Sequence, residues 1–399
     1  MNKPLVGVRI LDLTHMLAGP YAGMILADLG AETIKVEPLA GEGTRQLLAT
    51  DPENSLNGMG AYYLTLNRNK KSVAVDLKSE SGMAVFSRLV EASDIVLSNF
   101  AAEVPQRLGL DFETLSHVNP RIITCTVTGY GSEGPGANRP AFDQVAQASG
   151  GGMSITGPDW EYPVRAGIPI GDLGGGMFGV MGVLAALYER ERSGLGQHID
   201  IAMVDCQISM LNYMATMHGL SGKDPYPIGN AHFVHVPYDT FRCADGVIVI
   251  AVITDNFWQH LKVVVDCPEF DNTLYDTQPG RWKDRALING WLNDALERQS
   301  CAYWLEKLEK QRIPCSAVNS ISQALSDPQV LHRNMVVELR HPDGGSTRGP
   351  GNPIKLSRTK EESFSPAPLL GANTDSVMSD LLGLTATEIE ALKAQGAIG

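Results

Sequence analysis

The sequence predicts an α/β protein whose larger domain is a doubly wound, mostly parallel sheet and whose smaller domain is a second α/β unit. Three observations carry this. The chain of 399 residues exceeds the size at which a single core stops growing, so two domains are expected. Short apolar strands alternate with helices across the first half, the pattern of βαβ units. After the polar stretch 221–230 the character of the elements changes. Together these place a large domain over 1–220, a small domain over 221–327 and a closing segment over 328–399.

Taken in order, residues 8–13 read as a buried strand, 14–20 as a loop, 21–29 as a helix and 32–36 as a second strand, a βαβ opening. Residues 71–76 predict a strand, 79–91 an amphipathic helix, 94–97 a strand ending at Ser98-Asn99, and 121–127 another closed by Gly129-Tyr130-Gly131. A helix over 177–192 stops at Ser193-Gly194-Leu195-Gly196, where glycine permits a left-handed cap. A strand over 198–202 leads into a helix over 203–218. In the small domain 246–252 reads as a strand and 256–265, 281–297 and 301–311 as helices. Segments 328–342 and 365–371 then lead back to a terminal helix over 386–395. Sheets of this kind bind ligands beyond the carboxyl ends of their strands.

Composition narrows the function. Hydrophobic content of 43% with 19% charged residues is that of an ordinary globular protein. The net charge of −13 argues against nucleic acid as a partner, because phosphate backbones reward a basic face. Any phosphate site must then be local. The opening Met1-Asn2-Lys3-Pro4 has no apolar signal core, and the longest apolar stretch, 177–187, is too short and glycine-rich to span a bilayer. A cytoplasmic protein with no membrane partner is expected. The six cysteines (Cys125, Cys206, Cys243, Cys267, Cys301, Cys315) form no Cys-x-x-Cys pair and have no close histidine. They read as reduced thiols ahead of a zinc site or disulfides, and no metal is expected.

The segment Gly171-Asp172-Leu173-Gly174-Gly175-Gly176 stands directly before the predicted helix. Asp172 is expected at or near its N-cap, where unpaired N–H groups and the positive end of the dipole stabilise an ionised carboxylate. A plain capping aspartate is the competing reading. The glycines weigh against it, since each costs about 1 kcal/mol relative to alanine within a helix. Gly175, Gly179, Gly182 and Ala186 share one face, suited to close approach of a backbone or ligand, or to helix packing alone. Dinucleotide binding by the first βαβ unit, with Glu37 as the ribose-binding acid, meets a contradiction in the loop His15-Met16-Leu17-Ala18-Gly19-Pro20. It holds one glycine, and a proline where the phosphate-binding fingerprint needs flexible backbone.

Several motifs spread over essentially the whole chain belong together. They are Leu11-Asp12-Leu13-Thr14 with Ala18-Gly19-Pro20, Leu29-Gly30-Ala31 leading to Ile34-Lys35-Val36-Glu37, Asn67-Arg68-Asn69-Lys70-Lys71-Ser72, Asn99-Phe100, Thr128-Gly129-Tyr130-Gly131, Gly171-Asp172 and Pro368-Leu369-Leu370-Gly371. Jointly they resemble the class III CoA transferases, the CaiB/BaiF family, whose members include formyl-CoA transferase, carnitine CoA transferases and the α-methylacyl-CoA racemases. The resemblance implies a homodimer of two interlocked, ring-shaped subunits. Each would have a Rossmann-like large domain built from both chain ends, with the small domain between them. It implies no permanently bound cofactor, an acyl-CoA thioester and a small carboxylic acid being the substrates. It also assigns Asp172 as a nucleophile that passes through a mixed anhydride and an aspartyl-CoA thioester. A carboxylate suits this because it becomes a good leaving group once acylated. Backbone N–H groups of the nearby glycines are the expected oxyanion donors.

For CoA the resemblance points to Leu17 and Ala18 near the thioester, Val75, Asp76, Leu77, Lys78, Asn99 and Phe100 along adenosine and pantetheine, and Arg107 near the phosphates. Arg68, Lys70 and Lys71, three cations within four residues, suit phosphates or a solvated basic loop. The chain departs from the family at Pro38, where some relatives carry arginine, and at Asn373, where relatives often place histidine. The racemases pair the matching aspartate with a histidine, but here that segment reads Ala141-Phe142-Asp143. A phenyl ring carries no proton, which leaves racemisation second; His15 is the substitute base that reading would need. A non-catalytic CoA-binding protein is the third reading, and it would have no need of Asp172. For the acceptor, Gly229-Asn230-Ala231-His232, Val236-Pro237-Tyr238 and Pro163-Val164-Arg165 look closest to the succinyl-CoA-dependent branch acting on dicarboxylates. His232 and Gly229 are the expected carboxylate site, with His15, Arg45, Tyr62 and Phe142 shaping the pocket.

Overall fold

Six short strands form one sheet in the spatial order Lys70–Ala74, Glu32–Glu37, Arg9–Asp12, Ile95–Ser98, Ile123–Thr128, His198–Ala202. Every pairing is parallel. Numbered along the chain, the order is 3-2-1-4-5-6, that of a doubly wound sheet whose direction of winding switches between the first and fourth strands. This computed structural model describes residues 3–399, so Met1 and Asn2 of the N-terminal stretch lie outside it.

The chain separates into two compact units, one of Met1–Gly152, Arg165–Gly222 and Gln329–Gly399, the other of Met153–Val164 and Lys223–Pro328. In the first unit both sheet faces are buried, as parallel sheets require. On one face Phe86 and Leu89 from the helix Glu80–Glu91 join Val377 and Met378 from the helix Thr374–Leu382. On the other, Ala22 and Leu26 from the helix Ala18–Asp28 join Val180 and Val183 from the helix Ile170–Ser193. The edge strand Lys70–Ala74 is covered by the C-terminus. Asn373 exchanges hydrogen bonds with Ser72 through its backbone N–H (2.9 Å) and side-chain oxygen (3.0 Å), and the Gly399 N–H bonds the Ala74 carbonyl (3.1 Å). A covered edge cannot pair with another chain. The second unit is built on an antiparallel sheet in the order Cys315–Ala317, Gly246–Ala251, Tyr238–Cys243. Trp258, Leu292 and Leu308 from three helices pack with Phe241, Ile248 and Ile250 of this sheet.

Several elements differ from the sequence expectation, each for a physical reason. The first helix begins at Ala18 rather than 21, because Pro20 falls in its first turn, where a missing N–H costs nothing. The long helix begins at Ile170, not 177, and takes in all six glycines from Gly171 to Gly182. Tertiary packing outweighs their poor helix propensity. At 24 residues it is long and apolar enough to cross a membrane, contrary to the expectation for 177–187, yet its glycine face is buried in the core. The expected helix 203–218 breaks at Asn212, whose φ of +51° separates Met203–Leu211 from Tyr213–Ser221. The strand Tyr238–Cys243, the hairpin Val336–Arg340 with Ser346–Pro350, and the helix Thr374–Leu382 were not expected. Their mixed polar and apolar residues give short, weak periodicity.

Candidate functional site

The sheet's switch point lies where the loops after the first and fourth strands meet. There the His15 N–H donates to the Asn99 side-chain oxygen (2.9 Å), and the Asn99 amide donates back to the His15 carbonyl (2.6 Å). Beneath the loop lies a buried polar layer. Lys70 is paired with Asp12 at 2.8 Å with both side chains wholly buried, and it also donates to the Pro20 carbonyl (3.0 Å). Lys35 donates to the Thr14 carbonyl (2.8 Å). Burial alone would raise Asp12, but the Lys70 and Lys35 ammonium groups hold its carboxyl below the usual range. These bonds pin a loop in which Met16 keeps a left-handed φ of +62°, a conformation that non-glycine residues retain only when their surroundings enforce it.

Two cavities open from this point, and His15, Met16 and Phe100 line both. One, of about 240 Å³, has Asp172 in its wall together with Leu17, Ala18, Asn99, Thr128 and Phe142. The other, of about 440 Å³, is walled by residues 75–78 after the third strand, by Glu37, Pro38 and Glu42 after the second, and by Leu108. Both lie beyond the carboxyl ends of the strands, where an open α/β sheet presents its ligand crevice.

Asp172 is the third residue of the helix Ile170–Ser193, whose N-cap position is Pro169. Asp172 thus stands near the N-cap, in the first turn, and is not itself the capping residue. The cap comes from another element. Asp143, first residue of the helix Asp143–Ser149, accepts the Gly171 N–H (2.8 Å) and, more loosely, the Asp172 N–H (3.4 Å) on Oδ1. Its Oδ2 accepts from Gln147 (2.8 Å), whose own oxygen accepts the Ala166 N–H (2.9 Å). The Gly171 and Asp172 N–H groups are therefore already bonded and do not serve as oxyanion donors. Asp172 is half-buried; burial first, then the like charge of Asp143, push its pKa up to about 6. The stabilised, strongly ionised carboxylate expected from the sequence is replaced by one poised near neutrality.

Tyr62 lies within electrostatic reach of Asp172, Asp143 and Glu42; burial and these charges push its phenol up to about 12, so it stays a proton donor. Phe142 is 64% exposed, in the cavity wall. His15 is kept neutral, burial lowering its pKa. Arg45 does not line the pocket, contrary to expectation. It is buried in a two-point ion pair with Glu37, both contacts at 2.7 Å, and bonds the Pro368 carbonyl (3.1 Å). The basic run is likewise corrected. Arg68 is buried against Asp28 (2.7 Å), Lys70 against Asp12, and Lys71 is paired with Glu32 (2.6 Å), so none is a free phosphate cation. Lys78 and Arg107 are exposed and, among the described residues, have no ion-pair partner.

In the second unit, Gly229 turns with φ +63° and its N–H bonds the Gly157 carbonyl (2.9 Å). His232 accepts the N–H groups of Val234 (3.0 Å) and His235 (3.1 Å) on Nδ1 and stacks on Phe233. A ring nitrogen accepting two N–H bonds is unprotonated, so the imidazole is neutral with its proton on Nε2. Burial and His235 lower its pKa accordingly. His232 therefore brings no positive charge to the carboxylate site expected of it. The sequence reading missed Asp143 as the neighbour of Asp172 and Glu42 as a charge bearing on Tyr62 and His15. The signal for Asp143 was Gly171, since a Cβ there would lie 3.0 Å from the Asp143 Oδ1.

Comparison with known proteins gives the family. The family model described as CoA-transferase family III matches residues 5–374. The chain is 35% identical over 398 residues to the succinyl-CoA:glutarate CoA-transferase of Homo sapiens, covering 99% of this chain and 90% of that one. It is 35% identical over 387 residues to the succinate–glutarate CoA-transferase of Agrobacterium fabrum, covering 95% and 96%. Among solved structures, a CaiB/BaiF family protein from Brucella suis superposes with a TM-score of 0.86 at 33% identity, covering 96% of this chain and 100% of that one.

Proposed function

The chain belongs to CoA-transferase family III, and from that premise we propose that it moves CoA from succinyl-CoA to a short dicarboxylic acid, with Asp172 as nucleophile. The observation that carries this is a half-buried carboxylate, poised near pH 6, in a cavity beyond the strand ends of the sheet. Relatives that transfer CoA from succinyl-CoA to glutarate support the choice of substrates. An Asp172 oxygen attacks the thioester carbon, the C–S bond breaks, and CoA thiolate leaves a mixed anhydride. The thiolate then attacks the aspartyl carbon, releasing the donor acid and leaving an aspartyl-CoA thioester. The incoming carboxylate displaces thiolate to form a second anhydride, and thiolate attacks its acyl carbon to give the new acyl-CoA and free Asp172. The Asp172 carboxylate is the nucleophile of the first step and the leaving group of the last. Tyr62, protonated across the neutral range, is the donor within electrostatic reach of that carboxylate.

CoA is a substrate here rather than a resident cofactor. Residues 75–78, Asn99 and Phe100 would hold it along the two cavities, with the exposed cations Lys78 and Arg107 for its phosphates. Phe142 in the Asp172 wall carries no proton, which disfavours racemisation. The protein would act in the cytoplasm as a homodimer, with neither nucleic acid nor membrane as partner. The test is a panel of acyl-CoA donors crossed with mono- and dicarboxylic acids. Succinyl-CoA with glutarate or a neighbouring dicarboxylate should give the highest kcat/KM, and His232→Ala should raise KM more for dicarboxylates than for monocarboxylates. Efficient use of formate and oxalate alone, or an equal effect of His232→Ala on both classes, would sink the acceptor assignment.

A further inference from the structure

The N-terminal turn that presents Asp172 is held by a carboxylate from a different helix. Asp143 accepts two of its N–H groups on Oδ1, and Gln147, itself 3% exposed, fixes the other oxygen at 2.8 Å. Gln147 also binds the Ala166 N–H (2.9 Å), tying down the segment that enters the helix. The fit is close: a Cβ at Gly171 would stand 2.9 Å from the Asp143 carbonyl and 3.0 Å from its Oδ1. An amide or hydroxyl would cap this turn as well as a carboxylate does. A carboxylate beside a second carboxylate has an electrostatic cost that capping alone does not require.

Several of the other titratable groups near this turn carry no charge near neutrality. Tyr62, on the helix Ala61–Leu66, stays protonated. Cys206, on the helix Met203–Leu211, is a thiol pushed up to about 11 by burial first. His15 is neutral, and Tyr21, on the helix Ala18–Asp28, is raised by burial and keeps its proton. Glu42 bears on Tyr62 and His15. Arg139, in the cavity wall, is stacked on Tyr130 at 4.4 Å.

We propose that Asp143 is a positioning residue that does two things at once: it fixes the turn carrying Asp172, and its negative charge makes the Asp172 carboxylate more basic and so a stronger attacking group. The inference rests on Asp172 being the nucleophile. A stronger base is a better nucleophile in the attack on the thioester carbon, and the effect is largest where water is excluded and charges are poorly screened.

The experiment is the pH profile of kcat/KM, measured with succinyl-CoA and glutarate on the intact protein, for wild type, Asp143→Asn, Asp143→Glu and Asp172→Asn. Wild type should lose activity as pH falls through about 6. Asp143→Asn keeps an N–H acceptor but loses the charge. Its plateau should fall, while the acid limb moves down by roughly one pH unit, so that at pH 5 it retains roughly fivefold more of its own plateau rate than wild type does. Asp143→Glu keeps the charge and should keep the limb near its wild-type position. Should the amide fail to fold, Asp143→Ser carries the same prediction. An unshifted limb in Asp143→Asn or Asp143→Ser, with Asp172→Asn inactive, overturns the role of Asp143 and leaves the nucleophile standing. Transfer surviving in Asp172→Asn overturns both.

Discussion

Asp172 combines two demands that pull against each other, and the conflict predicts a measurable trade-off. Its folded pKa of about 6 lies above the ordinary 3.8, so between those values the folded state binds the extra proton. The stability this group contributes is complete below the unfolded pKa and is lost as pH rises through about 6. At pH 7–8 the charged carboxylate therefore burdens the fold. Asp172→Asn should abolish CoA transfer while raising stability at pH 7.5 by about 1–2 kcal/mol, allowing for its partial exposure. The gain should shrink toward pH 4, where wild type is protonated too. Thermal melts across pH check the stability, and hydroxylamine trapping with succinyl-CoA followed by peptide mass spectrometry checks for acylation of Asp172. A destabilised Asp172→Asn at pH 7.5, or modification mapping to Asp143, contradicts the reading.

The helix Ile170–Ser193 shows how tightly one element is set against its neighbours. Its glycines are not equivalent. A Cβ at Gly176 would lie 2.7 Å from the Ala18 carbonyl oxygen and 3.0 Å from the Tyr21 ring, and the first of these is backbone that cannot step aside. At Gly179 the nearest atoms stand at 3.6–3.8 Å, ordinary contact distance. Gly176→Ala should cost about 2–3 kcal/mol of stability and, by pushing the helix start away from the 15–18 loop, lower kcat/KM severalfold. Gly179→Ala should be tolerated and stabilise by about 0.5–1 kcal/mol through helix propensity. Denaturant unfolding of the two variants compares them directly. Equal destabilisation would mean that the glycine face serves something other than packing. The sequence marked these glycines as a face needing a bare backbone. That the partner was the Ala18 turn and the sheet rather than a ligand depended on which segments the fold brings beside them.

At the scale of the whole molecule, the face of this helix opposite the glycines is conspicuously apolar and open. Met177, Met181, Leu184 and Tyr188 repeat at helical spacing, with exposures of 38%, 52%, 37% and 70%. Exposed apolar stripes of this kind mark interaction faces. A second copy of the chain, as proposed above, would cover it. Light scattering at micromolar concentration should therefore give a mass near twice the 43.0 kDa of the chain. Met181→Asp together with Tyr188→Asp should shift it toward the single-chain mass and lower the melting temperature. A monomeric wild type would remove the homodimer from the proposal.

The local and periodic part of this protein was legible in its residues alone. Strand and helix alternation identified the doubly wound sheet, and the joint motifs from Leu11 to Gly371 identified the family. The segment Gly171-Asp172 marked the carboxylate at the start of the long helix. Short-range signals suffice for these, because hydrophobic period and glycine placement act within a few residues. The folded structure set how charges meet across the chain. It turned Arg68, Lys70 and Arg45 from candidate ligand groups into buried ion pairs with Asp28, Asp12 and Glu37. It set Asp143 beneath Asp172 across 29 residues of chain, and it gave His232 a neutral ring by closing two N–H bonds on Nδ1. Whether a charge is free, paired or poised depends on burial and on partners distant in sequence, and those exist only once the chain has folded.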